Sequence, residues 1–211
     1  MTKQPILALD AMGGDDAPWI VIEGADIAVD KNPELKLVFV GDTQQIKPLL
    51  AATRYLQSAE IVHTTEKVAP EARVSQALRA GKQTSMWKAI ELVANGEVEA
   101  VVSAGNTGAL MAMSKLQLRM IEGVSRPAIA GFFPNSAGQS CVLDLGANIE
   151  CDAKNLIQFA VMGSAFYRDI YGVGTPSVGL LNVGEEDQKG FDYLREAAKV
   201  LNLERLGVNY Q

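Results

Sequence analysis

Short apolar runs and longer stretches of helical periodicity alternate along this chain. Residues 6–9, 35–40, 60–63, 99–103, 128–133, 140–143 and 177–182 read as strands, each a short apolar run. Between most of them the apolar positions recur at helical spacing. Pro18 suits the first turn of a helix running toward Val29, where its missing N–H costs nothing. Asp42 is placed to cap a helix over 44–56. Further helices are predicted over 75–80, 85–94, 107–120 and 189–201. Asp152 can cap a long helix over 153–171, where Leu156, Phe159, Ala160 and Gly163 fall on one stripe at i, i+3, i+4 and i+7.

Strand–helix alternation of this kind predicts an α/β fold, with a mostly parallel, doubly wound sheet covered by helices on both faces. One pair breaks the rule. Six residues separate 128–133 from 140–143, too few for a crossover helix, so an antiparallel hairpin is expected near 128–143. No repeat, low-complexity stretch or clear linker interrupts the chain. A length of 211 residues suits one α/β domain or a large part of a bigger protein.

Composition narrows the function classes. Hydrophobic residues make up 48% of the chain, enough to fill a core at this size. A net charge of −6 argues against non-specific nucleic-acid binding, which needs a basic face. Lys115, Arg119 and Arg126 lie close in sequence and read first as a solvated helix face. Cys141 and Cys151, the only cysteines, match no zinc or redox spacing and suggest a reducing compartment. No window approaches the ~20 apolar residues of a spanning helix. The N-terminus passes directly into a strand-like run without a signal peptide, so a cytoplasmic location is expected. No metal or organic cofactor is called for by any motif.

Chemistry gathers where predicted strands end, as open α/β sheets require. After 99–103 come Ser103, Gly105, Asn106 and Thr107, a glycine turn feeding a helix. Such a corner points backbone N–H groups and a positive helix end outward, which suits an anion. An ordinary turn with a good N-cap fits the same residues. After the first strand stand Asp10, Gly13 and Gly14, with Asp15 and Asp16 following. The glycines let a backbone approach a ligand, whereas three aspartates are odd for a phosphate cradle. Asp10 is the better functional candidate, and Asp15 and Asp16 read as helix caps. This is neither a Walker A loop nor a GxGxxG turn.

A third corner carries Asp144, Gly146 and Asn148. A fourth runs from Asn182 and Gly184 through Glu185 and Glu186 to Lys189, which either pairs with those glutamates or reaches an anion. Arg79 precedes a basic, hydroxyl-rich turn at 81–86 that could contact phosphate or simply end a helix. His63 stands alone, with no nucleophile–base arrangement around it.

Taken in order, these strings resemble the bacterial phosphate acyltransferases. They are Ala8-Leu9-Asp10-Ala11-Met12-Gly13-Gly14-Asp15, Ser103-Ala104-Gly105-Asn106-Thr107-Gly108-Ala109-Leu110, Arg126-Pro127-Ala128, Val142-Leu143-Asp144-Leu145-Gly146-Ala147-Asn148 and Leu181-Asn182-Val183-Gly184-Glu185-Glu186 with Lys189-Gly190. The resemblance implies an enzyme that makes acyl phosphate from long-chain acyl-acyl carrier protein and inorganic phosphate for phospholipid synthesis. It implies a phosphotransacetylase-like, isopropylmalate dehydrogenase-like architecture, no cofactor, a homodimer, and peripheral contact with the inner face of a membrane.

Members of that family continue well past the position of Gln211. The resemblance therefore implies that 1–211 is the N-terminal portion of a single acyltransferase domain, truncated before its dimer and membrane elements. On this reading Lys189, Asn106, Asp10 and Asp144 are catalytic. Ser103, Gly105, Thr107, Arg79, Asn148, Gly13 and Gly14 bind substrate. An acidic carrier protein would have to dock on a local basic patch such as Lys115, Arg119 and Arg126. Two alternatives remain: a short-chain acyl-CoA:phosphate transferase, and a non-catalytic binding module.

Overall fold

In the computed structural model, which describes residues 4–184, 189–203 and 206–211, the chain divides into two compact units, Met1–Arg119 and Met120–Gln211. The first is built on four parallel strands, β1 (Ile6–Asp10), β2 (Lys36–Gly41), β3 (Glu60–His63) and β4 (Ala100–Val102). Their order across the sheet is β3-β2-β1-β4. On one face Leu9, Leu37 and Phe39 pack with Ile22 and Ala25 of α1 (Trp19–Lys31) and Ile46 and Leu50 of α2 (Thr43–Ala51). On the other, Ala8, Val38 and Val40 meet Ala89 of α4 (Ser85–Ala94). A third cluster joins Ala77 of α3 (Val74–Ala80) and Met86 and Ile90 of α4 to Ala109 and Met113 of α5 (Thr107–Leu118). Burial on both faces of β1 and β2 is why those two strands read as continuous apolar runs rather than alternating ones.

Local chemistry sets the helix ends. The Asp42 carboxylate accepts from the Gln44 N–H at 3.0 Å and starts α2. That helix stops at Ala51, short of the expected residue 56. There the Thr53 hydroxyl donates to the Leu50 carbonyl at 2.7 Å and accepts from the Leu56 N–H at 3.1 Å, a side-chain turn that competes with the helix. Leu56 is still buried, which explains its place in the periodic pattern. Asp15 and Asp16 do not cap α1. Its N-cap is Pro18, with no side-chain cap, and Asp16 gives only its backbone carbonyl to the Ile20 N–H.

The second unit opens with the expected hairpin, β5 (Ala130–Asn135) and β6 (Gly138–Leu143), antiparallel. Its turn is tighter than six residues. Pro134 pairs with Gln139 and Asn135 with Gly138, leaving only 136–137 to reverse the chain. A proline is tolerated there because both strands of a two-stranded ladder are edges. Helix α6 (Ala153–Tyr171) begins in a capping box: Asp152 accepts from the Asn155 N–H at 2.8 Å, and the Asn155 side chain accepts from the Asp152 N–H at 3.2 Å. Gly172, at φ +66°, ends it, a left-handed cap that glycine adopts without strain.

The run 177–182 shortens to β7 (Ser177–Val178), paired in parallel with β8 (Asn209–Tyr210). Pairing stops where β8 stops. Helix α7 (Asp192–Leu201) starts three positions after Lys189, because Gly190 sits at φ +83° and only Phe191 takes the N-cap position. Within this unit Phe132 stacks on Phe166 and meets the edge of Tyr171. The Tyr167 hydroxyl donates to the Gln139 carbonyl, fixing α6 against the hairpin.

Candidate functional site

Strand order selects the place to look in the first unit. From β1 the chain adds β2 and β3 on one side, then crosses back to lay β4 on the other side of β1. The carboxyl ends of β1 and β4 therefore flank a topological switch point, where open α/β sheets form their ligand crevices. Asp10 ends β1, and Ser103 follows β4 directly.

Two loops interlock at that point. Asp10 is 2% exposed. Its Oδ2 accepts from the Ser103 hydroxyl at 2.7 Å, and the same hydroxyl oxygen accepts from the Gly105 N–H at 3.1 Å. Asp10 Oδ1 is buried with no hydrogen-bond partner among the described residues. A Cβ on Gly13 would lie 2.5 Å from Asp10 Oδ2, 2.9 Å from Ser103 Oγ and 3.0 Å from the Gly105 nitrogen. Gly13 thus has no room for a side chain. Gly14, at φ +110°, has no strain-free alternative either.

Asn106 is the N-cap of α5, its Oδ1 accepting from the Ala109 N–H at 2.9 Å. Its Nδ2 donates to the carbonyls of Pro70 at 2.8 Å and Ala72 at 3.1 Å. Both ends of the carboxamide are therefore engaged within the protein. Thr107 is exposed on the first turn of α5. Between these loops lies a pocket of about 160 Å³ lined by Gly14, Asp15, Lys67, Val68, Gly105 and Asn106, among others. Taking about 30 Å³ per water, it has room for a small anion and not for an acyl chain. Arg79 is exposed in the last turn of α3 and is not part of the lining.

Lys67 and its loop are the part of this pocket that sequence reasoning missed. The available signal was the position of Glu66-Lys67-Val68-Ala69-Pro70 just past the carboxyl end of β3. His63 does something else there: its Nδ1 accepts from the Thr43 N–H at 3.2 Å and lies 3.0 Å from the Thr43 hydroxyl. It fastens the end of β3 to the start of α2.

In the second unit Asp144 and Asn148 meet each other. Asp144 Oδ1 accepts from the Ile129 N–H at 2.7 Å, and Oδ2 accepts from the Asn148 N–H at 2.7 Å and its Nδ2 at 3.2 Å. The same Nδ2 donates to the Pro127 carbonyl at 2.9 Å. This bracket ties 127–129 to the loop after β6 and uses both amide hydrogens of Asn148. Asn182 Nδ2 donates to the Lys189 carbonyl at 3.1 Å. Lys189 itself is exposed. The expected pairing with Glu185 or Glu186 falls outside the described residues. Arg126 Nη1 donates to the Glu150 carbonyl, and it belongs to a different unit from Lys115 and Arg119.

A larger cleft of about 810 Å³ also lies in the second unit, between the hairpin, α6 and β7. Leu156, Phe159, Ala160 and Gly163, the stripe read from sequence, line it. Among the described residues no charged one does, so this lining offers little to an anion. Both cysteines are free thiols. Burial pushes the Cys141 thiol up, and burial followed by the nearby Asp144 carboxylate does the same to Cys151. Among the described residues no group of three or more His, Cys, Asp or Glu side chains could hold a metal ion. No helix among them is long and apolar enough to cross a membrane.

Comparison with known proteins gives a consistent result. Residues 6–210 match the family described as fatty acid synthesis protein. A phosphate acyltransferase of Rhodospirillum centenum is 52% identical over 212 residues, covering 100% of this chain and 60% of that protein. One from Paramagnetospirillum magneticum is 47% identical over 211 residues, with the same coverage. The chain thus spans about three fifths of the length of these curated relatives. The EutD phosphotransacetylase from Staphylococcus aureus superposes with a TM-score of 0.70, covering 99% of this chain and 68% of that one at 19% identity. At that identity the likeness is one of fold, and it agrees with the architecture expected from sequence.

Proposed function

Because this chain belongs to the fatty acid synthesis protein family, and its curated relatives are phosphate acyltransferases, we propose that its first unit forms the phosphate-binding part of such an enzyme. The donor is a long-chain acyl-acyl carrier protein and the acceptor is inorganic phosphate, a step toward phospholipid. The observation that carries the reading is the small pocket at the switch point, lined by Gly14, Gly105 and Asn106 at the start of α5. A small anion there would face the N-terminal end of α5, whose positive end suits negative charge.

In the reaction an oxygen of hydrogen phosphate attacks the thioester carbonyl carbon. The carbon–sulfur bond breaks, and the proton that phosphate carried ends on the departing thiol. No covalent enzyme intermediate is needed. The protein's contribution is to hold phosphate beside the thioester and offset charge. Gly14 and the first turn of α5, including the Thr107 hydroxyl, are the proposed phosphate ligands, and Gly105, whose N–H is held by the Ser103 hydroxyl, shapes the pocket wall. Asp10, Ser103 and Asn106 act as positioning residues, since their polar atoms hold the loops rather than face outward. Asp144 and Asn148 are proposed to hold their own loop in the same way. Lys189 is proposed to supply positive charge to the developing oxyanion.

The homodimer and membrane contacts implied by resemblance are proposals about the longer protein. A short-chain acyl-CoA:phosphate transferase draws only on likeness of fold, and competition between acetyl-CoA and palmitoyl-acyl carrier protein separates the two. The test of the main reading is phosphate-dependent loss of thioester from palmitoyl-acyl carrier protein, with acyl phosphate detected directly. It should be run on this chain and on the same span within a chain of the relatives' full length. Acyl phosphate is expected from the longer chain, and Lys189→Met should lower its rate at least tenfold. A longer chain that cleaves no thioester in phosphate would contradict the proposal.

A further inference from the structure

The acidic residues beside the phosphate pocket pose a problem that the pocket's lining resolves. Asp15 and Lys67 are the charged residues among those lining it. A bare carboxylate would repel an anion, so an anion site that includes Asp15 needs a compensating cation and a reason to keep the acid. We propose that Lys67 and Asp15 are the specificity pair of this pocket, selecting hydrogen phosphate over fully ionised oxyanions such as sulfate. The inference rests on the phosphate reading above and adds to it two residues with no role so far.

Geometry fixes the lysine's loop from three sides. Glu66 bridges to Thr84, and its carbonyl accepts from the Ser85 N–H at 2.9 Å. Val68 is buried in the cluster formed by α3, α4 and α5. The carbonyls of Pro70 and Ala72 are clasped by the Asn106 side chain. Lys67, between these anchors, is exposed on the pocket wall, and its ammonium has no hydrogen bond or ion pair with any described residue. An anchored backbone under an unengaged ammonium is a prepared anion contact, because the loop needs no ordering when the ligand arrives.

Chemistry then gives Asp15 its task. Hydrogen phosphate keeps a proton on one oxygen near neutral pH, and a carboxylate can accept it in a charge-assisted hydrogen bond. Sulfate has no proton to give, so the same carboxylate only repels it. An ammonium supplies the net attraction for both anions, and the carboxylate tells them apart by leaving one wrong partner unpaired.

Titration calorimetry of this chain with inorganic phosphate and with sulfate, in chloride buffer at neutral pH, tests the pair. Phosphate should bind at least tenfold more tightly than sulfate. Lys67→Met should weaken both about tenfold, the size of one hydrogen bond to a charged group, and Lys67→Arg should restore most of it. Asp15→Asn should bring the two affinities to within about twofold by removing the repulsion of sulfate. Lys47→Met, on exposed α2 surface, serves as the control and should change neither. Absence of phosphate binding would overturn the phosphate reading and this inference together. Phosphate binding with no preference over sulfate, or with no loss in a folded Lys67→Met chain, would overturn the pair and leave the phosphate reading standing.

Discussion

Asp10 carries the first consequence at the scale of single residues. Among the described residues its one hydrogen-bond donor is the Ser103 hydroxyl, 93 residues away in sequence, and its other oxygen is buried with no partner. Ser103→Ala therefore leaves a buried carboxyl group with neither oxygen satisfied. A loss of about 1–3 kcal/mol is expected from urea unfolding, with a matching loss of phosphate affinity as Gly105 is released. Cys151 gives a chemical readout of the second unit. Burial and the Asp144 carboxylate raise its pKa, so at pH 8 it carries less thiolate than an ordinary cysteine. Iodoacetamide should modify it more slowly than a free cysteine peptide, and the rise in rate should come at higher pH. Equal rates would mean that the Asp144 corner is open to solvent.

Sequence made some of these residues visible and hid their partners. Asp10 stood out as an acid at a strand end. Asn106 and Asn148 stood out as amides at glycine turns and looked like groups for substrate. In the folded chain their N–H groups go to the carbonyls of Pro70, Ala72 and Pro127. A turn amide satisfies whichever carbonyl the fold brings near, and residues 21 to 36 positions away cannot be ranked from spacing. Lys67 went unnoticed for the converse reason. It lies in a loop with no glycine signature, and contacts far off in sequence, the Asn106 clasp among them, bring that loop to the corner.

Some helix starts were legible because a side chain caps them. Asp42 and Asp152 start their helices within a residue of expectation. Without a cap, α7 began three residues late, and the tail of α2 gave way to the Thr53 turn. The capping box of α6 is correspondingly worth testing. Asp152→Ala should cost about 1 kcal/mol, read as a lower urea midpoint with unchanged slope. No change would mean that packing against the hairpin alone fixes the start of α6. Asn106→Ala removes a cap and a clasp together. It should therefore weaken phosphate binding, and combining it with Lys67→Met should cost less than the sum of the two. Strict additivity would separate the clasp from the lysine.

For the whole molecule, the alternation of strands and helices was enough to foresee a parallel sheet with helices on both faces and one hairpin. It was not enough to order the strands, because order depends on which way each crossover turns. That order decides where the chemistry lies. Crossing from β3 back to the far side of β1 sets the Asp10 and Ser103 corners next to each other. Family membership then says which anion to try first. The direct test is to record amide shifts by two-dimensional NMR while adding inorganic phosphate to this chain. Saturable shifts at Gly14, Gly105, Thr107 and Gly108, lost in Gly13→Ala, are the predicted result. Phosphate that shifts none of these amides, or that binds Gly13→Ala equally well, would contradict the account.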